Sequence, residues 1–237
     1  MREASFQELL NSAFDYQTEN LYTAIPAVVV TVRNNFENLT IDAQPSVNIR
    51  NRDGTTAERP VILNIPVSMP MSGTSAVLLP LNVGDSVMLM FSMRGLDVWK
   101  RSNGRPTTPS DFRKFDKRDC IAIPISTIPN SPNQPSKHLW PHDTKDLTIV
   151  HNLGQGTESE IRIKLDGSVV INTKNKVDIQ CDTANVIADS EINVNTPVMN
   201  VDAQVNITGD VIVNGIAFST HVHGDVEPGG GTSGGPQ

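Results

Sequence analysis

The chain has 237 residues, a formal charge of -7 and only 5% aromatic residues. That length allows one or two domains with a substantial core. With 19 basic against 26 acidic residues and no dense basic run, it is not expected to bind nucleic acid. No apolar run approaches the ~20 residues needed to span a bilayer, and the opening residues from Met1 to Phe6 lack the apolar centre of a secretion signal. Cys120 and Cys181 stand far apart and read as reduced thiols.

In chain order, residues 2–18 predict an amphipathic helix. Phe6, Leu9, Leu10, Ala13 and Phe14 form its stripe, and Ser5 with Glu8 forms a capping box. An isolated helix of this length is marginal in water, so it needs a surface, either on its own domain or on a neighbouring subunit.

From Leu21 to about Pro129 the pattern is strands and turns. The β-branched run from Ala27 to Val32 predicts a central strand. Shorter strands are expected at Leu39–Asp42, Val47–Arg50, Val61–Val67, Ala76–Pro80, Ser86–Phe91 and Cys120–Pro124, with a hairpin turn at Asp53-Gly54. Five or six strands in this span suit a small barrel. Asp111, Arg113, Lys114, Asp116, Lys117, Arg118 and Asp119 make a mixed-sign cluster, expected as a solvated loop or an intersubunit contact.

The stretch from Ser126 to Asp146 carries Pro129, Pro132, Pro135 and Pro141 and predicts an extended linker. His138 and His142 lie here with no carboxylate or cysteine at ligand spacing, so no metal role is expected of them.

Beyond Leu147, apolar residues alternate with polar ones. Ile161, Ile163, Leu165, Val169, Ile171, Val177, Ile179, Cys181, Ile187, Val201, Ala203, Val205, Ile207, Val211 and Val213 are all odd-numbered, so turns of even length restore the same face. Strands and turns recur roughly every eight to ten residues, a loose repeat. One such ribbon has nothing in its own chain to cover its apolar face, and its edges are unpaired. Three copies about one axis, apolar faces inward, solve both problems. His221 and His223 share the odd parity. Three copies then supply six imidazoles, an octahedral site suited to Fe(II), Co(II), Ni(II) or Zn(II), among which geometry does not choose. The glycine-rich end after Gly224 would let three backbones fold back over one ion.

These residues together resemble the central membrane-piercing spike proteins, or baseplate hub proteins, of contractile-tailed bacteriophages. The resemblance rests on Tyr22 to Ala27, Val83 to Ser92, Arg113 to Asp116 leading to Ala122-Ile123-Pro124, Thr220-His221-Val222-His223-Gly224, and Thr232 to Pro236. It implies an all-β fold with a short N-terminal helix (1–20), an OB-fold barrel (21–130), a linker (131–152), a trimeric intertwined β-helix (153–218) and an apex with a glycine-rich cap (219–237). It further implies one Fe2+ per trimer held by His221 and His223, tail hub or baseplate proteins at the barrel end, and a place at the virion tail tip. The implied role is puncture of the host outer membrane on tail contraction, without catalysis.

Two other functions compete with this one. A barrel with a β-repeat also suits a binding module for cell-surface glycan. Gly215, His221, His223, Glu227 and Gly234 match the spacing of a cupin metal motif, but the second barrel half and further histidine that a cupin needs do not follow.

Overall fold

The computed structural model describes residues 5–19, 21–34, 39–51, 53–102, 104–125 and 135–221. The chain divides into two units, residues 1–178 and 179–237. It is mostly β, with few helices.

Helix α1 (Phe6–Glu19) opens the first unit. Its capping box forms as expected: the Ser5 backbone N–H donates to Glu8 Oε2 at 2.7 Å, and the Glu8 N–H donates to Ser5 Oγ at 3.3 Å. Its apolar stripe is not covered, with Phe6 80% and Phe14 59% exposed.

The β-branched run becomes β1 (Ala24–Asn34), which lies at the centre of a five-stranded sheet. The others are β2 (Leu39–Pro45), β5 (Ile62–Pro66), β8 (Ser86–Phe91) and β9 (Cys120–Pro124), in the order β5-β2-β1-β8-β9. All neighbours are antiparallel. Register shifts at Val29/Thr31 and Ile41/Ala43 bend the strands. The sheet curls until its two edges meet at a parallel bridge between Val67 and Ala122, where the Ser68 N–H donates to the Ala122 carbonyl at 2.8 Å. Inside the curl sit Val29, Ile41, Ile65, Val87, Leu89 and Ala122, all buried.

Two small hairpins hang from this sheet: β3 (Ile49–Arg50) with β4 (Thr56–Ala57), and β6 (Met71–Ser72) with β7 (Ser75–Ala76). The Asp53-Gly54 turn falls between the first pair, with Gly54 at φ +86°. The strand expected at Ala76–Pro80 stops at Ala76; the Val77 N–H still donates to the Pro70 carbonyl at 2.9 Å, and Val77, Leu78 and Leu79 run on exposed. A short helix α2 (Asp97–Arg101) occupies the polar excursion that follows β8.

In the mixed-sign cluster Asp111, Lys114, Lys117 and Arg118 are exposed, as a solvated loop would have them, while Asp119 is buried and Arg113 partly so. Arg113 Nε donates to Asp119 Oδ2 at 2.6 Å and its Nη1 to Asp111 Oδ2 at 2.8 Å, while Nη2 also pairs with Asp97. The Asp119 side chain is only 1% exposed, and its Oδ1 accepts the Leu96 N–H at 2.9 Å. The guanidinium thus fastens α2 and the following loop to the start of β9.

Of the stretch expected as a linker over 131–152, residues 135–152 are described, and 131–134 lie outside the described residues. After a 3₁₀ turn at Pro135–Lys137 the stretch packs against a second sheet, and its end is the first strand of that sheet. The strands are β10 (Leu147–His151), β11 (Ser159–Ile163) and β12 (Val169–Thr173), antiparallel in that order. Gly154, in the turn between β10 and β11, has φ +72°, and a Cβ there would sit 2.7 Å from the Lys137 carbonyl oxygen. The close approach of the 135–146 segment therefore requires glycine.

From Asn175 to Val211 the expected succession of strands is not paired. The chain runs without helix or strand, bent near Ser190, Ala203 and Gly209, with Ile179 82%, Ile187 91% and Val205 60% exposed. A ladder needs a second strand, and among the described residues no strand pairs with this ribbon. The described part of the second unit ends in the hairpin β13 (Ile212–Val213) and β14 (Ile216–Ala217), then a 3₁₀ turn at Phe218–Thr220.

Candidate functional site

Three features bear on function: the apolar face of the second sheet, the polar cluster beneath it and the histidine at the end of the described chain.

In the second sheet, alternation works the opposite way from an ordinary half-buried sheet. The rows Leu147–Ile163–Val169 and Ile149–Ile161–Ile171 lie on one face, and each of these six residues is 42–69% exposed. The rows Thr148–Arg162–Val170 and Val150–Glu160–Asn172 lie on the other, covered face, where Glu160 is 2% and Arg162 5% exposed. The odd parity of the apolar residues holds through these strands, but it points outward in a single chain. An open cleft of about 970 Å³ runs along this outward face, lined in part by Leu78, Leu79, Ile149, Ile161 and Ile171.

Beneath the sheet, the 135–146 segment brings His138 and His142 to Glu160. One ring nitrogen from each histidine and one carboxylate oxygen lie within 4.8 Å of one another. The two imidazoles stack, with centroids 3.8 Å apart and planes 10° from parallel. Glu158, fully buried, accepts N–H groups from Leu139 at 3.1 Å and Gly154 at 2.5 Å, and its Oε1 faces His138 Nδ1 at 3.6 Å. Glu160 Oε1 accepts from Asn172 Nδ2 at 2.8 Å and lies 3.4 Å from Arg162 Nη2. Arg162 also reaches the Pro141 carbonyl and stands 3.8 Å from Asp146 Oδ2. Burial, the neighbouring His138 and the Arg162 guanidinium together hold the His142 pKa below its ordinary value. No carboxylate stands at ligand spacing from these histidines in the sequence, yet the fold brings one to them. Glu160 stands far beyond them in the chain, and only the antiparallel fold-back brings it near. The signal available in the sequence was Glu158-x-Glu160-x-Arg162, charges at strand period inside an otherwise apolar alternation.

His221 follows β14 and the 3₁₀ turn. Asn214 and Gly215 both take positive φ, +51° and +81°, the two-residue turn that an Asn-Gly pair favours in a hairpin. Asp210 braces the hairpin's far end, accepting from the Ser219 N–H at 3.1 Å and from Ser219 Oγ at 2.5 Å. His221 Nδ1 lies 2.6 Å from the Phe218 carbonyl oxygen, and its ring leans on Phe218 at 5.2 Å. A carbonyl only accepts, so Nδ1 carries the hydrogen. In the neutral ring Nε2 then keeps the lone pair that a metal ligand needs. His223 and the glycine-rich end fall outside the described residues. Gly215, the first residue of the cupin-like spacing, is committed to the hairpin turn.

Comparison with known families gives two matches. Residues 25–125 match the model described as phage protein Gp138 N-terminal domain, which takes in the whole five-stranded sheet except the first residue of β1. Residues 215–237 match the GpV apex motif, beginning at the Asn-Gly turn and taking in both His221 and His223. No curated protein matches the chain.

Proposed function

We propose that this chain, a phage spike-related protein of the virion tail baseplate by its two family matches, is the piercing tip of a contractile tail. Three copies would act as one rigid spike driven through the host outer membrane. The observation that carries this reading is the outward apolar face of β10–β12, continued by the unpaired ribbon from Asn175 to Val211. Leaving such a surface wet opposes folding at roughly 25 cal/mol per Å² of apolar area. Its bare edges would also recruit any strand that approached. Two further copies satisfy both demands with the same residues, forming a β-helix over 153–218 in which each ribbon pairs with its neighbours.

The five-stranded sheet supports an OB-fold reading for 21–130. Its order β5-β2-β1-β8-β9, closed by the parallel Val67–Ala122 bridge, is that of a five-stranded barrel with one parallel contact. In this reading the barrel is the end held by tail hub proteins, and 219–237 is the apex. His221 fits an iron site there, since the Phe218 carbonyl holds the hydrogen on Nδ1 and so makes Nε2 the lone-pair nitrogen of the neutral ring. His223 would supply the second ligand of each chain. A bound Fe2+ would crosslink the three chain ends. The chain's own part is to hold each imidazole in one tautomer at the end of a braced hairpin. No catalytic turnover belongs to this function, whose output is stiffness and slow unfolding under load.

Sedimentation of the purified protein tests the assembly, with three chains expected. A stable, well-folded single chain would overturn the spike. Elemental analysis tests the apex: iron is expected in the native protein and lost in the His221→Ala, His223→Ala double variant, with the trimer still assembled.

A further inference from the structure

We propose a second metal site inside each chain, in which His138, His142 and Glu160 bind a divalent cation of zinc type and pin the 135–146 segment to the second sheet. Two imidazole nitrogens and a carboxylate oxygen are the donor set of many three-ligand zinc sites, with water completing the tetrahedron. Calcium and magnesium prefer all-oxygen surroundings and do not suit it.

Three observations carry the proposal. The first is convergence: the three donor atoms already lie within 4.8 Å of one another. Ligand bonds of about 2.1 Å bring such donors to about 3.4 Å apart, so a cation would draw them inward and splay the stacked rings. The second is the state of the donors. Glu160 Oε2 and His142 Nδ1 are buried with no hydrogen-bond partner, although the Glu160 side chain is fully buried. Its other oxygen is held by Asn172 and faces Arg162, which orients the carboxylate and leaves Oε2 for an ion. Glu158 stands behind His138 Nδ1 in the position of the outer carboxylate that steers a metal-bound histidine.

The third is formal charge. Glu158, Glu160 and Asp146 bring three carboxylates whose side chains are 7% exposed or less, against the single guanidinium of Arg162. Buried carboxylates in excess are costly unless a cation balances them. A divalent ion supplies the missing charge. An open cleft of about 800 Å³, lined by Trp140, His142, Asp146, Arg162 and Asn172, gives an ion access from solvent.

The test counts metal in the full-length protein after chelation and reloading with Zn2+. This site takes one ion per chain, whereas the apex takes one per three chains, so the two claims fail separately. Zinc equal to the number of chains is expected in the His221→Ala, His223→Ala variant, and loss of that zinc on adding His142→Ala. Zinc absent from the apex-deficient protein, or retained at the same stoichiometry after His142→Ala, would overturn the proposal. Should the His142→Ala protein not fold, Co2+ in the apex-deficient protein decides the matter. Intense visible bands of four-coordinate cobalt support the site, and the weak bands of six-coordinate or free ion reject it.

Discussion

The two sheets of the first unit follow opposite rules. The five-stranded sheet buries Val29, Ile41, Ile65, Val87 and Leu89, and its two buried carboxylates, Asp42 and Asp119, each meet an arginine that is partly exposed. The three-stranded sheet buries Glu158, Glu160 and Arg162 and turns Ile149, Ile161 and Ile171 to solvent. A sheet of the first kind is complete within one chain. A sheet of the second kind has its apolar face unused, and its polar face can be stable only if every charge finds a counter-charge. The first sheet thus has its apolar face covered within its own unit, and the second leaves its apolar face exposed.

The sharpest way to break that contrast is to charge the outward face. Ile161→Asp puts a carboxylate in the middle of the surface that would meet a second copy, while leaving the buried face of β11 untouched. The expected result is loss of assembly, with the sedimenting species falling to a single chain and the near-UV signal of the N-terminal sheet retained. An unchanged species would show that this face is not an interface.

The next largest effect lies at the rim of the first sheet. Arg113→Ala leaves the Asp119 carboxylate, 1% exposed, facing Asp97 and Asp111 with no cation between them. Stranding a buried charge costs about 3–5 kcal/mol, read as a lower urea midpoint. Because Asp119 also accepts the Leu96 N–H, α2 should loosen with it. The corresponding substitution on an exposed pair, Lys176→Ala opposite Asp178, should change the midpoint by little, since that pair lies in solvent.

Acid separates the sheets more gently. Arg33 lowers the Asp42 carboxyl below its ordinary range, and Arg118 lowers that of Asp116 to about 2. A carboxyl with a lower pKa in the folded chain contributes stability that is complete above its unfolded value, about 3.9. That contribution is lost as pH falls towards the folded value. Stability of the five-stranded sheet should therefore hold flat down to about pH 4 and decline from there to about pH 2. A decline beginning well above pH 5 would mean these pairs do not govern it.

How much of this was readable beforehand follows from which signals are local. The β-branched run at 27–32, the Asp53-Gly54 turn and the Ser5/Glu8 box each act through near neighbours, and each appears in the fold. Alternation reveals that a strand has two faces but not which face the chain will cover. At Glu160-Ile161-Arg162-Ile163 the answer depends on the 135–146 segment, whose docking rests on Gly154. Glu160 joins His138 and His142 only through the fold-back, so no ligand-spacing rule would pair them. Arg113 sits in a run of mixed charges, where composition suggests solvent, but three surrounding aspartates make it a clamp. The tautomer of His221 was not legible, since it depends on a carbonyl three residues back.

The smallest effect belongs to α1, and its size depends on the contrast between the sheets. Ser5→Ala removes one half of the capping box and should cost the helix about 1 kcal/mol. In a dissociated chain the stripe of Phe6, Leu9, Leu10 and Phe14 is exposed, so that loss stays local. It would show as a weaker helical signal with the unfolding midpoint unchanged. If the helix packs on a neighbouring copy, as its exposed stripe allows, the same substitution should weaken assembly several-fold, because helix formation and docking then draw on one equilibrium. Comparing Ser5→Ala alone with Ser5→Ala in the Ile161→Asp background distinguishes these outcomes. An effect on the midpoint that vanishes when assembly is already broken assigns the helix to the partner, and a midpoint unchanged in both backgrounds shows that the helix docks on no neighbour.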